Sequence, residues 1–276
     1  MSQFAADMLL ETESLSVQDV TCAGGCRHQS AAECAAATNL VFPYRGVFVR
    51  HVGQEDAVAE ANQLLFFNAG EEYRVSHPVE GGDACLSLAI KEPLLEELAP
   101  KDQLRRKGPV AFTRSRRRID PRAQVLVALL RHSLKRNAIE PLEAETLTLT
   151  LVRRALGEGT SHTARASMGR QKLVDRAKLV LSSDLSRRWT LAQIAAEVGV
   201  SPVYLTQVFQ QVEAVPLSRY QLRLRLARAL HLIGKYDDLT SLGLELGFSS
   251  HSHFTAAFRQ AFGRTPQDFQ RAARLK

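Results

Sequence analysis

The sequence predicts an α+β protein, in which a strand-rich first part precedes a helical second part. Three observations favour this class. Short apolar runs separated by turn residues fill the first 120 residues, and a helical period of apolar residues begins at Pro121. One helix–turn–helix pattern then occurs twice after residue 170. The 276 residues are enough for two domains, each with its own core.

The composition excludes several classes of protein. Hydrophobic residues make up 45% and charged residues 24%, so wholesale disorder is not expected. The apolar runs are far shorter than the ~20 residues that span a bilayer, and no leader pattern opens the chain. Four cysteines in a chain of this length favour reduced thiols or a metal site over a disulfide framework. We therefore expect a cytoplasmic protein without a membrane segment.

Charge is distributed unevenly along the chain. Residues 1–100 carry a net charge of −10, residues 101–170 carry +10, and residues 171–276 carry +7. An acidic part followed by basic parts indicates modules with different partners, the basic ones facing a polyanion. Arginine-rich helices that are simply solvated would give the same pattern.

The first 120 residues have the composition of a small β-domain. Turn residues such as Gly81 and Gly82 separate runs of strand length, and a short helix is expected around residues 94–98. The predicted strands are 41–43, 46–49, 63–67, 73–76, 85–90 and 110–113. Many short strands with regular turns predict a sandwich or a barrel.

Residues 121–157 are predicted to form two amphipathic helices. Pro121 and Pro141 stand where the first turn of a helix tolerates proline. Leu147 and Leu151 belong to an apolar stripe that can cover the β-domain or pair with a second subunit. We expect this segment to form a homodimer contact. Small polar residues then predict a linker over 158–170.

The repeated pattern lies within residues 171–276. In each copy a helix ends at a glycine, Gly199 or Gly247, and a serine, Ser201 or Ser250, caps a second helix. Structural helix hairpins also use such turns, but two copies in a segment of net charge +7 favour a double helix-turn-helix that binds DNA. One continuous helix over 217–233, about 25 Å long, is expected to separate the copies.

These residues resemble a known family. The motif residues are Ile194, Ala195, Ser201, Leu205 and Phe209 in the first copy, and Gly247, Phe248, Ser250, Ser252, His253, Phe254, Phe258, Phe262, Gly263, Thr265 and Pro266 in the second. On them, residues 171–276 resemble the DNA-binding domain of AraC/XylS-type bacterial transcription regulators. Residues 1–120 resemble, less specifically, that family's cupin-like β-barrel sensor domain. They lack the paired histidines and glutamate of enzymatic cupins.

The resemblance also implies which side chains contact DNA. Those facing bases would be Pro202, Val203, Thr206, Gln207, His251, Ser252, Thr255 and Ala256, and Arg259 would lie nearer the phosphates. Gln207 stands where the family commonly has arginine, and a glutamine can form a bidentate pair with adenine. Ala214 stands where a glycine is usual.

Cysteines cluster in the acidic first part. Cys22, Cys26, His28 and Cys34 offer thiolate and imidazole ligands that suit zinc or another thiophilic metal. Their spacing matches no standard zinc module. An exposed thiolate that senses redox state is equally compatible, and so are ordinary loop cysteines.

Other residues are predicted to be structural. Phe112 and Trp189 are expected in the core, and His77 at the surface or in a satisfied structural role. The arginines at 114 and 116–118 are expected to form a solvated strand edge.

The function we expect is transcription regulation rather than catalysis. The N-terminal domain would sense a small molecule, a metal or a redox signal, and the C-terminal domain would bind double-stranded promoter DNA. RNA polymerase would be a further partner, and the outcome would be activation or repression. The alternative is a cupin-type enzyme that modifies a small molecule and carries an accessory DNA-binding module.

Overall fold

A computed structural model describes residues 4–24, 28–106, 108–157 and 167–274 of the chain. These residues form two compact units, one before residue 161 and one after it. The first unit contains both sheets, and the second is entirely helical, which confirms the predicted α+β class. No described helix has the length and apolar content needed to cross a lipid bilayer.

The strands of the first unit form two antiparallel sheets. In chain order they are β1 (Phe4–Glu11), β2 (Leu15–Cys22), β3 (Glu33–Cys34), β4 (Asn39–Arg45), β5 (Phe48–Val52), β6 (Glu55–Ala59), β7 (Gln63–Phe67), β8 (Glu72–Ser76), β9 (Asp83–Ile90) and β10 (Arg116–Arg118). Six of them form one sheet in the order β1-β2-β9-β4-β7-β10, and four form the other in the order β3-β8-β5-β6. The two sheets stay separate, so a closed barrel is not found in this part of the chain.

The central strands of the six-stranded sheet, β9, β4 and β7, are buried on both faces. Side chains alternate along a strand, so that Val41 and Cys85 face the four-stranded sheet, where Phe48 and Ala57 complete one core. Leu86 and its neighbours on the opposite face pack against helices and form the larger core. The first unit therefore has three layers: sheet, sheet and helices.

Those helices are α1 (Glu92–Leu98), α2 (Pro121–Lys135) and α3 (Pro141–Leu156). Proline stands in the first turn of all three, as predicted for α2 and α3. Asp120 caps α2 by accepting from the N–H of Ala123, and it also pairs with Arg154 of α3. The predicted apolar stripe of α3 belongs to the core of its own chain. Leu151 is fully buried there, which makes it unavailable to a second subunit.

Two predictions near the end of the β-domain are wrong. Residues 110–113 form no strand, since Phe112 makes only an isolated bridge to Leu104 although its side chain is buried as expected. The last strand is instead β10, inside the arginine run that we expected to be solvated. Arg117 is buried, and its guanidinium donates to Gln103 Oε1 at 2.6 Å and to the Gly157 carbonyl oxygen at 2.5 Å. These bonds offset part of its lost hydration, since Arg117 Nε has no hydrogen-bond partner within the described residues.

The second unit consists of helices. In chain order they are α4 (Met168–Ser183), α5 (Leu191–Val198), α6 (Pro202–Glu213), α7 (Leu217–Leu232), α8 (Leu239–Glu245), α9 (His251–Phe262) and α10 (Pro266–Arg274). Helix α4 begins inside the range predicted as a linker, of which residues 158–166 lie outside the described residues. Helix α7 is continuous, as the sequence predicted.

Each half of this unit has its own core. In the first half, α4, α5 and α6 bury Leu181, Ile194 and Phe209, and Lys178 pairs with Glu213 at 2.6 Å inside the same core. Trp189, expected to be buried, is only half-buried and carries Arg187 over its ring. In the second half, Phe254 contacts Phe248 and Phe258, and the Phe258 ring also contacts Phe262 and Phe269.

Helix α6 ends at Ala214, the position where the family usually has glycine. Ala214 has φ 53°, a left-handed conformation that costs a residue with a Cβ about 1–2 kcal/mol. We expect Ala214→Gly to raise the free energy of unfolding by about 1 kcal/mol, as measured by denaturant titration. Ala192→Gly is the matched control, because Ala192 is exposed within α5 and glycine there should cost about 1 kcal/mol. Equal effects of both substitutions would contradict this account.

Candidate nucleic-acid interface

The first helix-turn-helix is built from α5 and α6. Thr190 and Gln193 form a capping box at the start of α5, and the helix ends at Gly199 with φ 73°. Ser201 then caps α6 by accepting from the N–H of Tyr204 at 3.2 Å. These local signals set the length of the turn between the two helices.

The face of α6 that points away from the core consists of predicted contact residues. Leu205, Val208 and Phe209 are buried against α4 and α5. The predicted residues are all exposed: Pro202, Val203, Thr206 and Gln207. Tyr204 is also exposed, and its side chain was not predicted to contact DNA. An aromatic residue in the first turn of a recognition helix would have been the sequence signal for it.

The second helix-turn-helix repeats this construction with α8 and α9. Asp238 caps α8, and its hydrogen bonds from the Ser241 hydroxyl and from the N–H groups of Thr240 and Ser241 lower its pKa to about 2. Gly247 supplies the turn with φ 81°, and Ser250 caps α9 by accepting from the N–H of His253 at 3.1 Å.

On α9 the predicted contact residues again lie opposite the core. Phe254 and Phe258 are fully buried. The exposed residues are His251, Ser252, Ala256 and Arg259, and Thr255 is half-buried. The His251 ring lies between two hydroxyls, with Nδ1 3.5 Å from Thr240 Oγ1 and Nε2 3.3 Å from Thr255 Oγ1. These contacts orient the ring at the start of the helix.

One arginine links the two helix-turn-helix motifs. Arg225 of α7 donates to the carbonyl oxygens of Leu185 at 2.7 Å and Arg187 at 2.9 Å, both in the loop before α5. It also donates to the Gly247 carbonyl oxygen at 3.2 Å, in the turn of the second motif. Burial lowers the pKa of Arg225, but a guanidinium stays protonated at any physiological pH. The relative position of α6 and α9 therefore depends on this side chain.

Comparison with known proteins agrees with this geometry. Residues 194–272 match the family model described as a helix-turn-helix domain. The chain is 27% identical over 185 residues to the HTH-type transcriptional regulator GadX of Escherichia coli O6:H1, a match that covers 67% of each protein. It is 37% identical over 95 residues to the HTH-type transcriptional regulator ArgR of Pseudomonas aeruginosa, covering 34% of this chain and 29% of that one.

The double helix-turn-helix of this chain is an AraC-type DNA-binding domain. A solved AraC-type DNA-binding domain protein from Chromobacterium violaceum is 30% identical and matches 39% of this chain and 97% of its own, with a TM-score of 0.37. The family relatives found are regulators of transcription, and the double helix-turn-helix of this chain is the part that the family model describes.

The cysteines of the first unit lie in different surroundings. Cys85 is buried between the sheets, and burial raises the pKa of its thiol. Cys34 and His28 are exposed, and Cys26 lies outside the described residues. The four-residue metal set therefore stays a prediction. Within the described ranges, the ligand atoms that come together with Cys22 belong to His77 and Asp83.

The two turn glycines are not equivalent. A Cβ on Gly199 would meet nothing within 4 Å, whereas a Cβ on Gly247 would overlap the Ser186 carbonyl oxygen and lie 2.9 Å from Arg225 Nη2. We expect Gly199→Ala to cost about 1–2 kcal/mol of stability, from backbone strain alone. Gly247→Ala should cost roughly 2–5 kcal/mol, because overlap adds to strain. Denaturant unfolding measures both, and equal costs would contradict the role of Arg225 at this turn.

Proposed function

We propose that this regulator reads a promoter with the exposed faces of α6 and α9. The observation that supports the proposal is that the helix-turn-helix motif occurs twice. Two capped helices each expose most of the side chains predicted to contact DNA, and Arg225 joins both motifs within one compact unit. Helix α7 has 16 residues and is about 24 Å long, comparable to one turn of duplex DNA at about 34 Å. This length suits two recognition helices in successive major grooves.

The chemistry of the exposed residues suits direct contact with DNA. The Gln207 side chain can donate to and accept from adenine in a bidentate pair, and Val203 can contact a thymine methyl group. Arg259 is exposed on α9 and is the cation best placed to neutralise a phosphate there. The N–H groups at the starts of both helices are further phosphate donors.

The first unit is proposed to receive a signal, as the sensor domain of the family does. The resemblance to a cupin-like domain supports this role. A ligand that binds one arrangement of this unit better would shift the protein between two states. On this proposal the protein is not an enzyme. It acts in the cytoplasm, where it contacts RNA polymerase and activates transcription.

A homodimer contact is proposed for α2 and α3. Leu151 is inside the chain's own core, so the contact surface must use other residues. Val125 and Leu129 are only half-buried and lie one turn apart on α2. A symmetric pair of such helices would bury both side chains. Two DNA-binding units held together would recognise a longer operator.

We expect two substitutions to separate base reading from phosphate binding. After genome-wide mapping has identified the operator, fluorescence anisotropy measures the affinity of the full chain for it. Gln207→Ala should relax the preference at one base pair by about 1–3 kcal/mol, whereas Arg259→Ala should weaken binding to all sequences and reduce the salt slope by about 1. Gln267→Ala, at an exposed position of α10, is the matched control. Unchanged sequence preference and salt slope in both variants would overturn the proposed interface.

The dimer is tested by sedimentation. The double variant Val125→Glu/Leu129→Glu places charges where apolar surface would be buried, so the sedimentation coefficient should fall to that of a monomer. Leu244→Glu, at an exposed apolar residue of the second unit, should leave the dimer intact. Dimers that persist in the double variant would place the contact elsewhere.

A further inference from the structure

Three side chains that can bind a metal meet at one end of the first unit. Cys22 ends β2 and Asp83 begins β9, and the two residues are direct partners in the register of the six-stranded sheet. His77 follows β8, which belongs to the four-stranded sheet. One ligand atom from each residue lies within 4.8 Å of the other two. The sequence places His77 far from Cys22, so only the pairing of strands and the stacking of sheets bring them together.

The polar atoms of this cluster are buried without full hydrogen bonding. His77 Nε2 lies 2.8 Å from Asp83 Oδ2, and the two side chains are 11% and 7% exposed. In the described part of the chain, neither Asp83 Oδ2 nor His77 Nδ1 has a hydrogen-bond partner, so the close approach lacks the alignment of a hydrogen bond. Buried polar atoms left unsatisfied are costly, and a cation bound by Asp83 Oδ2 would remove the cost at that atom.

The backbone around the cluster is tightly packed. Gly24, Gly46 and Gly82 all have positive φ and cross one another closely. A Cβ on Gly82 would overlap the Cys22 carbonyl oxygen, and a Cβ on Gly46 would overlap the Gly82 carbonyl oxygen. This packing holds the chain on both sides of the ligands, as a preorganised site requires.

We propose that Cys22, His77 and Asp83 bind one divalent transition-metal ion of the zinc class. Thiolate, imidazole and carboxylate are the ligands that zinc prefers, and a thiolate disfavours magnesium and calcium. Bonds of about 2.0–2.3 Å separate tetrahedral ligands by roughly 3.3–3.8 Å, which the present cluster reaches with small side-chain shifts. The fourth position is left for water or an exchangeable ligand. This set shares only Cys22 with the one predicted from the sequence.

The ion would join the two sheets of the first unit. Two ligands come from the six-stranded sheet and the third follows a strand of the four-stranded sheet, so binding would couple the positions of both. Metal binding at this site is independent of DNA binding. Its use as the signal of the regulator rests on the proposed function, and the two are measured separately.

Cobalt(II) titration of the full-length, reduced and metal-stripped protein tests the site. We expect one equivalent to bind, with thiolate-to-cobalt charge-transfer absorption in the near ultraviolet and the visible bands of a tetrahedral site, and zinc to displace it. Cys22→Ser should abolish the charge-transfer band, and His77→Gln and Asp83→Asn should each weaken binding at least tenfold. His28→Gln and Cys34→Ser are matched controls that should bind as the parent does.

Several outcomes would overturn the assignment. They are the absence of cobalt binding, a charge-transfer band that survives Cys22→Ser, and loss of the band in His28→Gln or Cys34→Ser. The last outcome would favour the ligand set predicted from the sequence. Circular dichroism and thermal unfolding without metal identify any variant that fails to fold. In that case the cobalt affinity of Asp83→Asn, which preserves the shape of the side chain, tests the site. Operator affinity is measured on the same samples. Cobalt binding without DNA binding would contradict the proposed function and leave the metal site intact.

Discussion

The hydrogen bonds of Arg225 are the constraint on which the DNA-binding unit depends. One guanidinium bridges the loop before α5 and the turn after α8, so it joins two halves that otherwise have separate cores. Carbonyl oxygens accept its hydrogen bonds, so the guanidinium needs no carboxylate partner between the two motifs. Gly247 must lack a Cβ for that approach, which gives the glycine a packing role in addition to its backbone conformation. The turn of the second motif and the linking helix are thus parts of one interaction.

Buried polar groups also join the layers of the first unit. Asp19 is fully buried in the six-stranded sheet, accepts from Tyr44 at 2.5 Å, and pairs with Arg131 and Lys135 of α2. Burial raises the pKa of Tyr44, so its hydroxyl stays protonated and remains a donor. The contact between sheet and helix therefore includes polar bonds that fix its position, in addition to apolar packing. Any shift of the sheet would change the contacts of α2.

The two recognition helices differ in chemistry although their construction is the same. Helix α6 exposes Val203, Tyr204 and Gln207, an uncharged surface suited to thymine methyl groups and adenine edges. Helix α9 exposes two histidines and Arg259, with the rings oriented by neighbouring hydroxyls. On the proposed function, the two helices contribute differently to binding. Helix α6 makes mostly base contacts, and α9 contributes more of the attraction to phosphates.

The sequence by itself determined the elements whose signals are local. Caps such as Ser201 and Ser250, the turn glycines, and the prolines that open α2 and α3 act within one helical turn, so the double helix-turn-helix and the paired helices could be predicted. The tertiary structure decided what depends on distant partners. Arg117 is buried because Gln103 and Gly157 accept hydrogen bonds from it. Cys22 lies close to His77 and Asp83 because two sheets stack. Sheet order and closure likewise follow from pairings between strands remote in the chain, and no local pattern of residues specifies these.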